Sequence, residues 1–369
     1  MKFSCEKQLL SDAVSTVIKA TSSKSSIPIL EGILLSTDDD KLVLTTNNLE
    51  MGMECTISAE VSQNGSIVIG DAKVFAEIIR KLPNDIIYIE VSDNMTTTIK
   101  CQKSVYNIIG LNPVEFPELP EVRETASLVI NGDVLKSMLR QTIYAVSTRT
   151  EKPVLTGALF DISESFLTVA ALDGFRLAIR KEKVENAKEG KFIVPGKTLN
   201  DLIRTLKDEE LPVTIKMTDK YILFEYENTK IISRLIDGEF FNYKAIIPKD
   251  FKIKTKVFLS DIISCVERAD PIVSVDVLKN PIKMTINRDT LSIDCMTATG
   301  KVYDIIEIED CGGELEIGFN QKYLHDALAS CEDENIFMEF NGSLNPCIIK
   351  PAEGDAFLFM VLPVMLKND

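Results

Sequence analysis

Two stretches of this chain carry the same pair of cations at the same spacing. Lys73 and Arg80 lie seven residues apart in the segment 72–82, and Lys197 and Arg204 hold the equivalent positions in 196–206. Seven residues on a helix is two turns, so each pair shares one face. Lys136 and Arg140, at i and i+4, share a face of a third helical stretch, and no Asp or Glu occurs from Val134 to Thr150. The chemistry open to such pairs is sequence-independent contact with phosphate; a solvated helix face is the plainer alternative. The chain as a whole is acidic, with 56 Asp and Glu against 41 Lys and Arg and a net charge of −15. Converging cations can still hold phosphate in such a chain, because the local field governs contact.

Signals for catalysis are lacking. There is no phosphate-binding G-x-x-x-x-G-K-[ST], no G-x-G-x-x-G and no G-x-S-x-G. The single histidine, His325, has no Cys pair near it, so a metal centre is not expected. Asp38-Asp39-Asp40 reads as a solvated hairpin tip. No cofactor is implied. The eight cysteines are scattered without a C-x-x-C and read as reduced thiols of a cytoplasmic protein. Neither a signal peptide nor a membrane span is expected from the apolar runs.

The elements that must position these cations recur. Val134 to Lys183 reads as an amphipathic helix with an apolar stripe of Leu135, Met138, Leu139, Ile143 and Val146, then strands over 154–162, 166–171 and 176–181, the second ending at the turn dipeptide Asp173-Gly174. Leu9, Leu10, Ala13, Val14, Val17 and Ile18 repeat the stripe upstream, and Leu259, Ile262, Ile263 and Val266 repeat it downstream. The second helices, 72–82 and 196–206, match position for position, and Gln321–Leu328 is a looser third that keeps Lys322 but has Ala329 in place of the Arg. The period is about 125 residues, too long for a solenoid, so the copies are domains. Pro-rich or turn-rich links at 112–126 and 237–248 give boundaries of 1–120, 127–246 and 248–369. Each copy holds two helices and about eight strands, an α+β fold with helices covering antiparallel sheet.

Several motifs resemble the bacterial β sliding clamp family, the processivity subunits of the replicative DNA polymerase. They are Asp173–Ala178 (DGFRLA), Ser233–Phe240 (SRLIDGEF), Ile317–Asn320 (IGFN) with Tyr323, and Met360–Met365 (MVLPVM). The resemblance covers the whole chain, with the motifs in the family's order. It implies a DNA clamp fold of three repeated domains. Two subunits would join head to tail into a closed ring that encircles duplex DNA, slides along it and has no catalytic or exonuclease activity of its own. It makes Lys24, Lys73, Arg80, Lys136, Arg140, Arg149, Lys152, Lys197, Arg204 and Lys322 candidates for contact with DNA.

The resemblance also implies a hydrophobic cleft between the second and third domains. That cleft takes short linear peptides from polymerase, clamp loader and repair proteins. Its lining here would be Leu155, Leu172, Gly174, Phe175, Arg176, Leu177, Phe241, Ala245, Ile246, Leu278, Asn320, Tyr323, Leu344, Pro346, Val361, Leu362, Pro363, Val364, Met365 and Leu366. Phe175 stands where His is usual, Leu172 where Thr is usual and Met365 where Arg is common, while Phe241 and Ala245 replace a Pro and an Arg. These departures predict a more apolar trough with Arg176 as its main cation and an altered peptide preference. The ring joint is expected at an edge strand around Tyr106 and Ile108 against one around 301–304, with Ile272 and Val273 beside it. Two other readings stay open on the residues alone: a hydrolase using unidentified carboxylates, and an interaction scaffold that never encircles DNA.

Overall fold

The structure, a computed structural model, describes residues 1–22, 26–122, 126–184, 188–275, 280–309 and 311–366. The chain packs as two compact units, Met1–Asp133 with Arg204–Leu235, and Val134–Ile203 with Ile236–Asp369. Neither unit coincides with one sequence copy, because each contains a sheet that runs from one copy into the next.

The first unit is built on a thirteen-stranded sheet. Ala126–Asn131, Pro212–Met217, Tyr221–Tyr226 and Thr229–Arg234 of the middle copy run in that order into Met51–Ser58 of the first. The joining pair is antiparallel, with Thr229 opposite Cys55 and Ser233 opposite Met51. Lys230 and Glu54 close an ion pair of 2.9 Å across it. Helix α1 (Lys7–Val17) buries Leu10, Ala13, Val14 and Val17, and the Thr46 hydroxyl donates to the last of these carbonyls, Val17 O, at 2.5 Å. Helix α2 (Ala72–Lys81) starts where Asp71 accepts the Lys73 and Val74 N–H groups, which satisfies two donors that a helix start leaves open. It buries Phe75 and Ile79 and turns Lys73 and Arg80 outward. Burying each such side chain contributes about 1.5–3 kcal/mol.

The second unit has an eight-stranded sheet and a separate four-stranded one. In the larger sheet Arg176–Lys183 pairs antiparallel with Phe357–Val361, Arg176 opposite Val361, so the middle and third copies share backbone hydrogen bonds as the first two do. The smaller sheet runs Gly300–Glu307, Thr290–Thr297, Ile282–Asn287, Leu315–Phe319. Helices α3 (Gly132–Arg140), α4 (Gly196–Thr205), α5 (Leu259–Val273) and α6 (Gln321–Ala329) complete the set. Each copy therefore contributes two α-helices and nine, eight and eight strands among the described residues, the expected α+β class.

Local departures from expectation have physical causes. The helix predicted through Val146 ends at Arg140, and a 3-10 turn occupies Ile143–Ala145. Thr142 leaves helical geometry, with φ −122°, and its hydroxyl donates to the Met138 carbonyl at 2.8 Å, capping the helix end. Pro153–Thr156 forms a 3-10 turn rather than the start of a strand, as does Pro28–Glu31 in the first copy. In both, proline at the first position fixes the φ such a turn needs. Asp39, with φ +48°, sits at a hairpin tip between strands ending at Asp38 and beginning at Lys41, as read from the acidic run. His325 Nε2 lies 3.1 Å from Glu267 Oε1, a satisfied surface pair, and no metal-holding cluster occurs among the described residues. No helix among them is long and apolar enough to cross a membrane.

Candidate functional site

The second unit holds a tightly determined turn. Asp173 Oδ1 accepts from the Phe175 and Arg176 N–H groups at 2.9 and 3.1 Å, and Gly174 takes φ +92°, a conformation that suits glycine. The turn aims Arg176 at a second carboxylate. Its Nε lies 3.0 Å from Asp173 Oδ2 and its Nη1 2.5 Å from Asp326 Oδ2 on α6. The three side chains are 10%, 12% and 20% exposed. The guanidinium also lies 5.3 Å from the Tyr144 ring centroid and 4.7 Å from that of Tyr323. Burial opposes its charge, but the hydrogen bond to Asp326 and the field of Asp173 outweigh that and raise its pKa above the ordinary value.

An apolar surface extends from this turn. Leu172, Leu177 and Met360 are buried in one cluster, and Leu155 and Leu362 pack against it half-buried. The tail is fixed over it by Leu362 N–H donating to Phe175 O at 2.9 Å and Val364 N–H to Gly318 O at 2.8 Å. Gly318 is required there, since a Cβ would lie 2.5 Å from the Val364 carbonyl. Val361 is the last residue of its strand; Leu362, Pro363, Val364, Met365 and Leu366 leave it, and Met365 is 78% exposed. Phe175, Phe241, Ala245, Ile246 and Leu344 are also exposed, and Pro346 is half-buried. Phe175 stacks on Tyr323 with centroids 5.7 Å apart, and Asn320 caps α6 by accepting Tyr323 N–H at 3.2 Å. Leu278 lies outside the described residues.

Two expectations about charge need correction. Arg176 is not a free-standing cation: its Nε and Nη1 are paired with Asp173 and Asp326, and its guanidinium lies against the Tyr144 and Tyr323 rings. Arg149 is the exposed one, its guanidinium 5.9 Å from the Phe175 ring centroid. Lys136 does not share an exposed face with Arg140: it is 7% exposed, because the packed arc of α3 is wider than its apolar stripe and takes in Leu135, Lys136, Met138 and Leu139. Among the other candidates, Lys73, Arg80, Arg140, Lys152, Lys197, Arg204 and Lys322 are exposed, and Lys24 lies outside the described residues. Arg80 pairs with Glu77 at 2.7 Å and Lys322 with Asp326 at 3.2 Å.

Models of the three domains of the DNA polymerase III beta subunit match this chain end to end: the N-terminal domain at residues 1–120, the central domain at 129–242 and the C-terminal domain at 244–365. The chain belongs to the DNA polymerase III beta subunit family, the beta sliding clamps. It is 36% identical to the beta sliding clamp of Halalkalibacterium halodurans and 33% identical to that of Bacillus subtilis, each over 99% of both chains. The crystal structure of a putative DNA polymerase III beta subunit from Eubacterium rectale superposes with a TM-score of 0.94 at 34% identity, covering 99% of this chain and 100% of that one.

Within this clamp fold the two strand edges singled out from sequence are both open. Among the described residues, 104–109 of Ser104–Leu111 pair with Thr96–Cys101 on one side only, since the other neighbour, Gly65–Ile69, reaches just Gly110 and Leu111. Val105, Tyr106 and Ile109 are exposed there and Ile108 is half-buried. Gly300–Glu307 is the end strand of its sheet, with Tyr303 and Ile305 exposed. Ile272, at the end of α5, reaches this strand: its Cδ1 lies 3.3 Å from where a Cβ on Gly300 would sit, and Val273 is half-buried beside it. Sequence reasoning missed Asp173 and Asp326 as the partners of Arg176. The Asp-Gly dipeptide signalled the turn, but nothing in the chain order signalled a carboxylate 150 positions away.

Proposed function

We propose that this chain works as a processivity factor of DNA replication by enclosure and that the residues above supply its two working surfaces. Two subunits close head to tail into a ring around duplex DNA, which slides through it. The ring tethers the replicative polymerase, the clamp loader and repair proteins through short linear peptides. The chain itself is non-catalytic and acts in the cytoplasm. The observation that carries this reading is the full-length match to the clamp fold.

Lys73, Arg80, Lys197 and Arg204, joined by Arg140, Lys152 and Lys322, supply sequence-independent phosphate contacts. Each contact is weak, and two of the cations, Arg80 and Lys322, are shared with Glu77 and Asp326, so the duplex is not gripped. Residence comes from topology. The peptide surface is the apolar trough of Leu155, Leu172, Leu177, Ile246 and Leu362 rimmed by Phe175, Tyr323, Val364 and Met365, a shape and chemistry suited to a short apolar segment. The domain divisions at 1–120, 127–246 and 248–369 are the repeat units of this assembly. The ring joint pairs the open edge at Val105–Ile109 of one subunit with that at Lys301–Ile305 of the next. Two exposed apolar edges are a liability unless covered, and pairing them end to end generates a closed ring.

The experiment is retention on circular DNA after loading, followed by linearisation. Enclosure predicts that the protein stays bound to the circle in moderate salt and runs off once the circle is cut. Equal retention on both forms would replace enclosure by ordinary binding, and no retention on either would favour a scaffold that never encircles DNA.

A further inference from the structure

Two junctions between successive copies lie inside the chain, and both close in the same way. In one, Thr229–Arg234 pairs with Met51–Ser58, with Thr229 opposite Cys55, Ile231 opposite Met53 and Ser233 opposite Met51. In the other, Phe357–Val361 pairs with Arg176–Lys183, with Val361 opposite Arg176. Met51 and Arg176 hold equivalent positions. Each is the first residue after a two-residue turn, closed by Asn48 N–H donating to Met51 O at 3.0 Å and by Asp173 N–H donating to Arg176 O at 3.3 Å. One more bond ends each pairing, from Arg234 N–H to Glu50 O at 2.8 Å and from Leu362 N–H to Phe175 O at 2.9 Å.

The two open edges are built from the same parts. Gly300–Glu307 starts directly after a two-residue turn, with Gly300 opposite Thr297, so Gly300 is the counterpart of Met51 and Arg176. Ser104–Leu111 starts with Ser104 opposite Cys101 across a two-residue turn, as Thr229–Arg234 does with Thr229 opposite Tyr226. Ser104 is therefore the counterpart of Thr229. Thr229 stands opposite Cys55, four residues along from Met51. The same offset from Gly300 puts Ser104 opposite Asp304.

We infer that a second copy of this chain joins these edges in that register: Val105 opposite Tyr303, Tyr106 opposite Val302, Asn107 opposite Lys301 and Ile108 opposite Gly300, with Ile109 N–H donating to the Thr299 carbonyl. This rests on the ring joint proposed above and assigns its residue pairs. The backbone supplies a separate check. Gly110 N–H donates to Met95 O at 2.8 Å and Ile308 N–H to Asp289 O at 2.9 Å, so on both strands the even-numbered residues bond inward. Alternate residues of an antiparallel strand bond to opposite sides, which leaves Val105, Asn107 and Ile109 on one edge and Lys301, Tyr303 and Ile305 on the other to bond outward. The register sets these two groups against each other. A slip of one residue would set them against inward-bonded groups and turn every side chain to the wrong face.

The side chains fit the same register. Ile108 falls on Gly300, where the missing side chain leaves room against Ile272, whose Cδ1 lies 3.3 Å from the position of a Cβ. Where the junction inside the chain carries the Lys230–Glu54 ion pair, the joint carries Val105 against Tyr303, which are 54% and 61% exposed in the single chain. An aromatic ring opposite a β-branched side chain is a favourable cross-strand pair.

The test is cross-linking between subunits. Three double variants keep Val105→Cys and add Lys301→Cys, Tyr303→Cys or Ile305→Cys; the native cysteines are buried and stay out of the reaction. Directly opposed residues lie about 5.5 Å apart at Cα, within disulfide reach, whereas a shift of two residues puts them about 8–9 Å apart, beyond it. On mild oxidation, Val105→Cys with Tyr303→Cys should yield roughly tenfold more covalent dimer on a non-reducing gel than either other variant. If Tyr303→Cys dissociates the dimer, Asn107→Cys with Lys301→Cys, opposed in the same register, decides. Most product with Val105→Cys and Lys301→Cys, or with Val105→Cys and Ile305→Cys, would overturn the register and leave the joint standing. Dimers in light scattering that cross-link in none of the variants would remove the joint from these edges, and a monomeric native chain would remove the ring.

Discussion

Replacing Arg176 by methionine tests how the peptide-binding surface is held in place. Methionine keeps most of the stem but removes the charge. Asp173 and Asp326, 12% and 20% exposed, would then face each other with only Lys322, whose side chain is 73% exposed, to offset them. Breaking a buried pair from one side costs about 3–5 kcal/mol, whereas an exposed pair is worth at most about 1. This cluster is close to the buried limit but not dry, so about 3 kcal/mol is expected. For a unit of this size each kcal/mol shifts Tm by roughly 2–4 °C, giving a loss of about 6–12 °C by calorimetry. The control is the triple variant Arg176→Met/Asp173→Asn/Asp326→Asn, which removes the stranded charges and should recover at least half of the loss. A single variant within about 2 °C of the native protein would show that the cluster is effectively solvated. A triple variant no more stable than the single one would show that the loss comes from removing the guanidinium from its contacts with the Tyr144 and Tyr323 rings rather than from stranded carboxylate charge.

Neutralising Lys197 and Arg204 together should flatten the dependence of log K for duplex DNA on log salt by about 1.8, the counterions of two phosphate contacts; an unchanged slope would remove α4 from the DNA-facing set. Ile272→Ala with Val273→Ala, or Tyr303→Lys with Ile305→Lys on the open edge, should convert dimers to monomers in light scattering, and a persistent dimer would place the joint elsewhere. Burial, reinforced by the fields of Glu6, Asp304 and Asp161, pushes Cys5 and Cys265 from 9.0 and Tyr243 from 10.0 up to about 12. The folded state therefore holds protons that the unfolded chain has released. The stability these groups contribute is complete below about pH 9 and is lost as pH rises to about 12, so urea midpoints should fall across that range. Midpoints that stay flat would contradict such deep burial of these groups.

The duplication was readable because its signals are local. The α2 and α4 segments place a cation, apolar residues and an Arg in the same order, and each forms a helix of ten residues with its cations outward. Strand identity was readable where an apolar run is bounded by turn residues, as at 166–171, which forms the strand Phe166–Leu172. Helix ends were less so. The apolar stripe continues past Arg140, but the backbone leaves helical geometry at Thr142, with φ −122°, and the helix stops there. The sheets that join successive copies were not legible. The register of Thr229–Arg234 on Met51–Ser58 depends on two edges meeting across some 175 residues of chain, and neither strand differs in composition from an inner one.

The candidate site shows the same division between local and long-range information. Asp173-Gly174 announced a turn because the chemistry of that turn is contained in four residues. What the turn is for lies elsewhere. Lys136 and Arg176 were both counted as available cations because sequence displays a charge but not the groups that engage it. Packing removes one from solvent, and Asp326, from another copy, pairs with the other. The apolar substitutions at 172 and 175 are then not simple gains of grease. Leu172 is buried and thickens the floor, whereas Phe175 is exposed, stacked on Tyr323 and beneath Arg149. That places an aromatic ring and a free-standing guanidinium side by side at the rim. A partner carrying a carboxylate near its apolar residues should be preferred over a neutral one, and Arg149→Gln should remove that preference while leaving the affinity for the neutral peptide unchanged. Loss of affinity for both alike would show that Arg149 supports the ring rather than reads the partner.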